Sequence, residues 1–445
     1  MMTSTPRMGT TSPIAGSEPS SPPPIVATKI PFTRRIPSTE VVSINPAEIK
    51  FELSTSPSSH PYEDPKLITS PTSQTGKAIF YAAEKLRSSD IPVAFPTETV
   101  YGLGADATRD EAVKNIFAVK GRPTDNPLIV HIGSLKQARD LLRPSNSPAS
   151  EKSNYDIPEI YAPLIEKFWP GPLTILLPLP RNSKLSPYVY STQVTVGVRM
   201  PSHPVALALA LTSNVPIAAP SANKSGLPSP TTAKHVREDL YKLVELILDG
   251  GSCDVGLEST VVDGLSNPPA ILRPGGVSLE QIRACKGWEG TIVHKEDAIP
   301  GSAGSTAGAN VAPRAPGMKY KHYSPTCGVR LYLPEADMPS ITELKATAFG
   351  SDSKVVRLGV LRTRRWKEFG EKERNWLAEK NVDVVEESLG ESGEEISRRL
   401  FGALRRMDDE GVMVVHIEGV EEDMEGLAVM NRLKKAASVV IRKKS

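Results

Sequence analysis

Eight short apolar runs recur between residues 91 and 276: IPVAF (91–95), LIVHI (128–132), LTILLP (173–178), VTVGVRM (194–200), PIAAP (216–220), LVELILDGG (243–251), STVVD (259–263) and AILRPGG (270–276). They are rich in β-branched residues, and helical stretches separate them. Runs of this kind fit strands buried on both faces of a sheet, which makes the region from about residue 71 to 297 one α/β domain. A helical pattern through Ala78, Ala82 and Leu86 leads into the first of them.

A chain of 445 residues exceeds what one core organises, and the texture changes where a boundary is needed. Residues 298–325 are a Gly/Ala/Pro/Ser-rich linker without hydrophobic periodicity. Beyond them VRLYLP, VVRLGVL, VDVV and VMVVHI read as four strands, and Ile396, Leu400, Leu404 and Met407 share a helical face. A closing helix is expected near Leu427 to Val440. The spacing predicts a smaller Rossmann-like α/β domain over 326–445. No Gly-rich phosphate turn follows its strands, so it is expected to assist and not to catalyse. At the other end, residues 1–40 are dominated by Ser, Thr and Pro and read as a disordered tail. Arg7, Arg34 and Arg35 leave a mitochondrial presequence as the alternative.

Charge and cysteine usage exclude several classes. Lys and Arg total 53 against 51 Asp and Glu, so no chain-wide basic excess draws the protein to nucleic acid, and any phosphate site is local. No run of about 18 apolar residues predicts a membrane span. Cys253, Cys285 and Cys327 are too few and scattered for a disulfide framework or a zinc site, which suits a reducing compartment.

Polar groups collect at the ends of the predicted strands. PTETVYGLGADA (96–107) reads as a loop or turn of hydroxyls, a carboxylate, a phenol and two glycines. In KGRPTDNPLIVHI, Lys120, Arg122 and Asn126 precede a strand, a combination that suits a polyanion or else a solvated charge cluster. His131 lies inside an apolar run. Arg199 closes a buried strand, where it either pairs with an internal carboxylate or holds the carboxylate of a ligand. Ser221, Asn223, Ser225 and Ser229 supply small side chains that let backbone N–H groups approach a phosphate, and Arg273 precedes a tight turn. Together these donors favour a nucleotide site, although Walker, HExxH, CxxC and GxSxG patterns are absent.

With these blocks in order over about 200 residues, joined by WPGPLTILLP, APSANKSGLPSPT, GLESTVVD and PGMKYKHYSP, the chain resembles the YrdC-like family. Within it, the chain resembles the long, two-domain threonylcarbamoyl-AMP synthases. The resemblance implies a twisted open sheet with a concave basic face. It implies synthesis of threonylcarbamoyl-AMP and pyrophosphate from L-threonine, bicarbonate and ATP, with Mg²⁺ on the nucleotide. The product would pass to a tRNA threonylcarbamoyl transferase complex that modifies the adenosine beside the anticodon; a cytoplasmic enzyme, with a mitochondrial share, is expected. By the same resemblance Thr99, His131, Arg199, Ala219 and Ser259 hold threonine. Arg122, Asn126, Thr195, Ser221, Asn223, Ser229, Arg273 and Tyr323 hold ATP, with Lys120 and Arg122 stabilising the reacting phosphates and the linker closing as a lid. The alternatives are a non-catalytic RNA-binding module on the same cationic sheet and a carbamoyl-transfer enzyme acting on another substrate. The near-neutral charge and 5% aromatic content speak against the RNA-binding module, and the long linker and second domain against the other enzyme.

Overall fold

A computed structural model describes residues 28–57, 59–147, 155–294, 322–348 and 355–443. The first sheet has eleven strands in the order Glu40–Ser43, Leu246–Asp249, Val93–Phe95, Gly102–Asp106, Ile217–Ala218, Ile129–His131, Thr195–Arg199, Leu173–Pro178, Thr260–Asp263, Ala270–Arg273 and Ile292–Val293. Its pairing is mixed. Val93–Phe95 and Gly102–Asp106 are antiparallel because residues 96–101 are far too few for a parallel crossover. Ile129–His131 and Thr195–Arg199 run parallel, with His131 opposite Arg199.

Part of what reads as the loop PTETVYGLGADA is therefore a strand. Gly104 has no room for a side chain, since a Cβ there would sit 2.5 Å from the Phe95 ring and 2.9 Å from Ile217. The glycines that suggest a turn instead let three strands pack closely. The helix Gln74–Ser88, capped by Ser73, buries Ala78, Ala82 and Leu86 as their spacing predicts.

The expectation of a disordered tail through residue 40 fails for its last third. Ile36 is buried, Thr39 donates to the Val244 carbonyl at 2.7 Å, and Glu40–Ser43 extends the sheet beside Leu246–Asp249. The segment is short and polar by itself, and distant partners order it. Residues 1–27, where the targeting reading mostly falls, lie outside the described residues, as do 298–321 of the expected linker.

The second sheet has five strands, all parallel, in the order Val382–Ser388, Val356–Arg362, Val414–Glu418, Gly328–Tyr332 and Val439–Ile441. The expected closing helix ends at Ala436, and Val439–Ile441 is a fifth strand set against Gly328–Tyr332. The helix Gly393–Asp409 starts at a reciprocal Ser392–Glu395 cap and buries Ile396, Leu400, Leu404 and Met407.

The two parts share buried surface. Val100 and Leu257 of the first join Tyr323 and the second part's Phe401 in one apolar cluster. Gly256, at φ +78°, faces the backbone of the helix Gly393–Asp409 so closely that a Cβ would lie 2.4 Å from the Arg398 Cα. Two buried ion pairs cross the same contact: Arg405 with Asp239, and Arg432 with Glu258. Among the described residues no helix is long and apolar enough to cross a membrane.

Candidate active site

A cavity of about 70 Å³ lies where the loop 96–101 meets the ends of Ile129–His131, Thr195–Arg199 and Ala270–Arg273 and the start of Thr260–Asp263. Of the residues singled out from the sequence, Thr99, Arg122, His131, Arg199, Ala219, Ser221, Ser259, Arg273 and Tyr323 line it. Residues scattered over more than two hundred positions thus converge on one space.

Arg199 meets the first of its readings, the internal carboxylate, and also lines the cavity. It is buried and forms an ion pair with Glu98, its Nη1 donates to the Thr99 hydroxyl at 2.8 Å, and its Nε donates to the Gly171 carbonyl at 3.1 Å. Glu98 also accepts from the Ser202 N–H, so the carboxylate that balances Arg199 is itself fixed in place. The arginine keeps a face on the cavity wall. Beside it, burial, reinforced by Arg199, pushes His131 down to about 3, so the ring is neutral at ordinary pH.

Arg273 is anchored by its neighbour: Nη2 donates to the Ser259 carbonyl at 2.9 Å and to its hydroxyl at 3.2 Å. Ser259 Oγ lies 2.8 Å from Thr174 Oγ1. Arg122 donates from Nη2 to the Pro127 carbonyl at 3.1 Å. Each guanidinium is held by backbone or hydroxyl oxygens, so the wall has three cations preset in direction.

Five expected residues are not on the wall. Lys120 is buried, and its ammonium donates to the carbonyls of Ser221 and Asn223 at 2.5 and 2.7 Å, so it clamps the loop that presents Ser221. Burial, and then Arg122, pulls its pKa well below the usual lysine range. Asn223 closes the same loop through Nδ2 on the Lys224 and Leu227 carbonyls. Ser229 donates to Glu258 at 2.6 Å. Asn126 is buried, with its carbonyl 3.4 Å from Arg122 Nε. Thr195 begins the strand that Arg199 ends, about 13 Å away along an extended chain.

Conversely, Glu258 and His322 line the cavity and were not anticipated as ligand-facing. Glu258 stands inside GLESTVVD, where the adjacent hydroxyls draw attention; His322 precedes Tyr323 in the linker motif. Burial, and then Arg122, pushes His322 down to about 3. Tyr323, at φ +64°, is buried and stacks on Phe401 with ring centroids 5.3 Å apart. The described residues include no group of three or more His, Cys, Asp or Glu side chains arranged to hold a metal ion.

Comparison with known proteins places the chain in a family. The sequence model of the family described as "Telomere recombination" matches residues 85–275, and that described as "Threonylcarbamoyl-AMP synthase, C-terminal domain" matches residues 277–438. A threonylcarbamoyl-AMP synthase of Schizosaccharomyces pombe is 48% identical over 414 residues, which cover 90% of this chain and 98% of that protein. One from Pyrococcus abyssi is 45% identical over 353 residues, covering 79% and 92%. The crystal structure of P. abyssi Sua5 complexed with L-threonine superposes with a TM-score of 0.64 at 41% identity, covering 82% of this chain and 96% of that one.

Proposed function

Since the chain belongs to the threonylcarbamoyl-AMP synthase family in its two-domain form, we propose that its cavity joins L-threonine, bicarbonate and ATP into threonylcarbamoyl-AMP, with release of pyrophosphate. The observation that carries the reading is the convergence of Arg122, Arg199 and Arg273 on one cavity beside the neutral His131. A threonine carboxylate and a triphosphate are the anions that such a set accommodates.

Threonine sits with its carboxylate on Arg199 and its hydroxyl among Thr99, His131 and Ser259. Its free amine combines with bicarbonate to give a carbamate, and water leaves. A carbamate oxygen then attacks the α-phosphorus of ATP in line, the bond from that phosphorus to the bridging oxygen breaks, and pyrophosphate departs with the electron pair. Arg122 and Arg273 face the charge that grows on the phosphoryl oxygens, while Lys120, through its two carbonyl contacts, positions the loop bearing Ser221. No side-chain nucleophile is required. Mg²⁺ arrives on the ATP phosphates as part of the substrate; the one carboxylate on the cavity wall among the described residues, Glu258, is already bonded to Ser229 and Arg432.

At about 70 Å³ the cavity is far below the 300 Å³ or more of a typical small-molecule site. His322 and Tyr323 form part of its wall, so we assign this end of the linker as the lid that withdraws to admit substrates and closes to exclude water from a labile intermediate. The product is handed on to an enzyme that transfers the threonylcarbamoyl group to tRNA. Pyrophosphate release from ATP, measured with and without threonine and bicarbonate, tests the reading. Release should need both co-substrates; release from ATP alone at the same rate would overturn it.

A further inference from the structure

Glu258 sits awkwardly for the reaction just proposed, on which this inference rests. It is buried, it is the one acidic side chain among the described residues lining the cavity, and the ligand expected there carries a triphosphate. Left to itself, a carboxylate in that wall repels the nucleotide and offsets the neighbouring arginines.

The second domain supplies what balances it. Arg432, on the helix Gly426–Ala436, has no exposed surface, and its Nε and Nη2 lie 3.1 and 3.0 Å from Glu258 Oε2. Its Nη1 donates to the Pro274 carbonyl, next to Arg273, and the guanidinium lies 5.7 Å from the centre of the Tyr323 ring. The other carboxylate oxygen accepts from Ser229.

We propose that Arg432 is a positioning residue of the ATP subsite that acts through Glu258: it neutralises the one carboxylate of the cavity wall and holds it on Ser229, so that the wall presents cations to the phosphates. The catalytic pocket is then electrostatically complete only when the second domain is docked. Burial by itself pushes the Glu258 carboxyl up; Arg432, with Arg273 and the Ser229 hydroxyl, outweighs burial and holds it below the usual range. Lys120 and His322 also face it among the described residues.

The same interface contains a built-in control. Arg405 is also buried, bonds Asp239 at 3.1 and 2.8 Å, and donates to the Pro228 carbonyl, yet neither member of that pair lines the cavity. Both arginines join the two parts, and of the two only Arg432 is paired with a residue of the cavity wall.

The test uses four full-length variants. Arg432→Met should raise the KM for ATP at least tenfold while changing the KM for threonine less than threefold. Adding Glu258→Gln should return the ATP value to within threefold of the parent, because the repelling charge is gone. Arg405→Met should lower the melting temperature and leave both KM values within twofold. In Arg432→Met the carboxyl loses the cation that holds it down, so the ATP KM of that variant should fall as pH is lowered from 8 to 6. Equal effects of Arg432→Met and Arg405→Met on the KM values, or no recovery on adding Glu258→Gln, would overturn the proposal. If Arg432→Met does not fold, Glu258→Gln alone decides: it should bind ATP at least as tightly as the parent, and tenfold weaker binding refutes the claim. Should the parent release no threonine-dependent pyrophosphate, the reaction reading fails, and direct titration of the same proteins with ATP still judges Arg432.

Discussion

At the strand ends of the second sheet, Glu418 accepts the N–H groups of Thr363, Arg365 and Trp366, and Glu386 pairs with both Arg362 and Arg374. His416 has both ring nitrogens hydrogen bonded, 3.0 Å from the Tyr332 and Thr347 hydroxyls. At the strand ends of the first sheet, Arg122, Arg199 and Arg273 are anchored on one side and keep the other toward a cavity. Both sheets bury charge near the ends of their strands; in the second the charges bond one another away from that cavity, and in the first three arginines, one of them paired with Glu98, share its wall. Buried charge at a strand end is therefore a poor sign of a site until its partners are known. What we propose the second part contributes to chemistry lies off its sheet, on Arg432 and the approach to Tyr323.

The largest expected effect comes from removing that contribution. Cutting the chain after residue 294 takes away His322, Tyr323 and Arg432 together, and synthesis should fall by at least about 100-fold, the scale of losing one preorganised group. Tyr323→Ala in the full chain should reproduce much of that loss. Truncated protein with full synthesis at matched substrate levels would reduce the second part to a tethered passenger.

A middle-sized effect separates the two roles of Arg199. Arg199→Lys keeps a cation for Glu98 but loses the fork, so the threonine KM should rise roughly 10–100-fold, as for one charged hydrogen bond, while the ATP KM moves less than threefold. Parallel losses for both substrates would mean that Arg199 is a structural ion pair like those of the second sheet.

The smallest effect comes from the closed network. Burial pushes His416 down to about 3, whereas the unfolded ring titrates near 6.5. The folded ring is neutral, so its stability contribution is intact above about pH 6.5 and is lost as pH falls toward 3. The slope is about 1.4 kcal/mol per pH unit. Urea midpoints at pH 7, 6 and 5 should fall less steeply in His416→Gln, with pyrophosphate release at pH 7 unchanged. An altered KM would show that the second sheet is coupled to the site more tightly than its closed network implies.

Much of the site was legible because its chemistry is written in residue type at strand ends: Arg122, His131, Arg199, Ser221, Ser259 and Arg273 all meet at the cavity. Sequence misplaced the residues whose direction depends on a distant backbone. Lys120 has the charge for a phosphate, yet carbonyls a hundred residues on take its ammonium. Ser229 belongs to Glu258, and Glu258 to an arginine 174 positions later, a pairing that local patterning cannot register. The same holds for the fold. Strands buried on both faces announce themselves by composition, whereas Glu40–Ser43 and Val439–Ile441 exist through long-range neighbours, and both carry exposed valines.

The separation between Glu258 and Arg432 also has a consequence in time. A ribosome adding roughly 5–20 residues per second needs about 9–35 s to pass from one to the other. Throughout that interval Glu258 lacks its arginine partner from the second part. A chain stalled before residue 400 should accordingly capture ATP no better than the truncated protein does, and tight capture would contradict this. On the proposal that Arg432 completes the ATP subsite, the order of synthesis would keep the half-made enzyme from engaging a nucleotide.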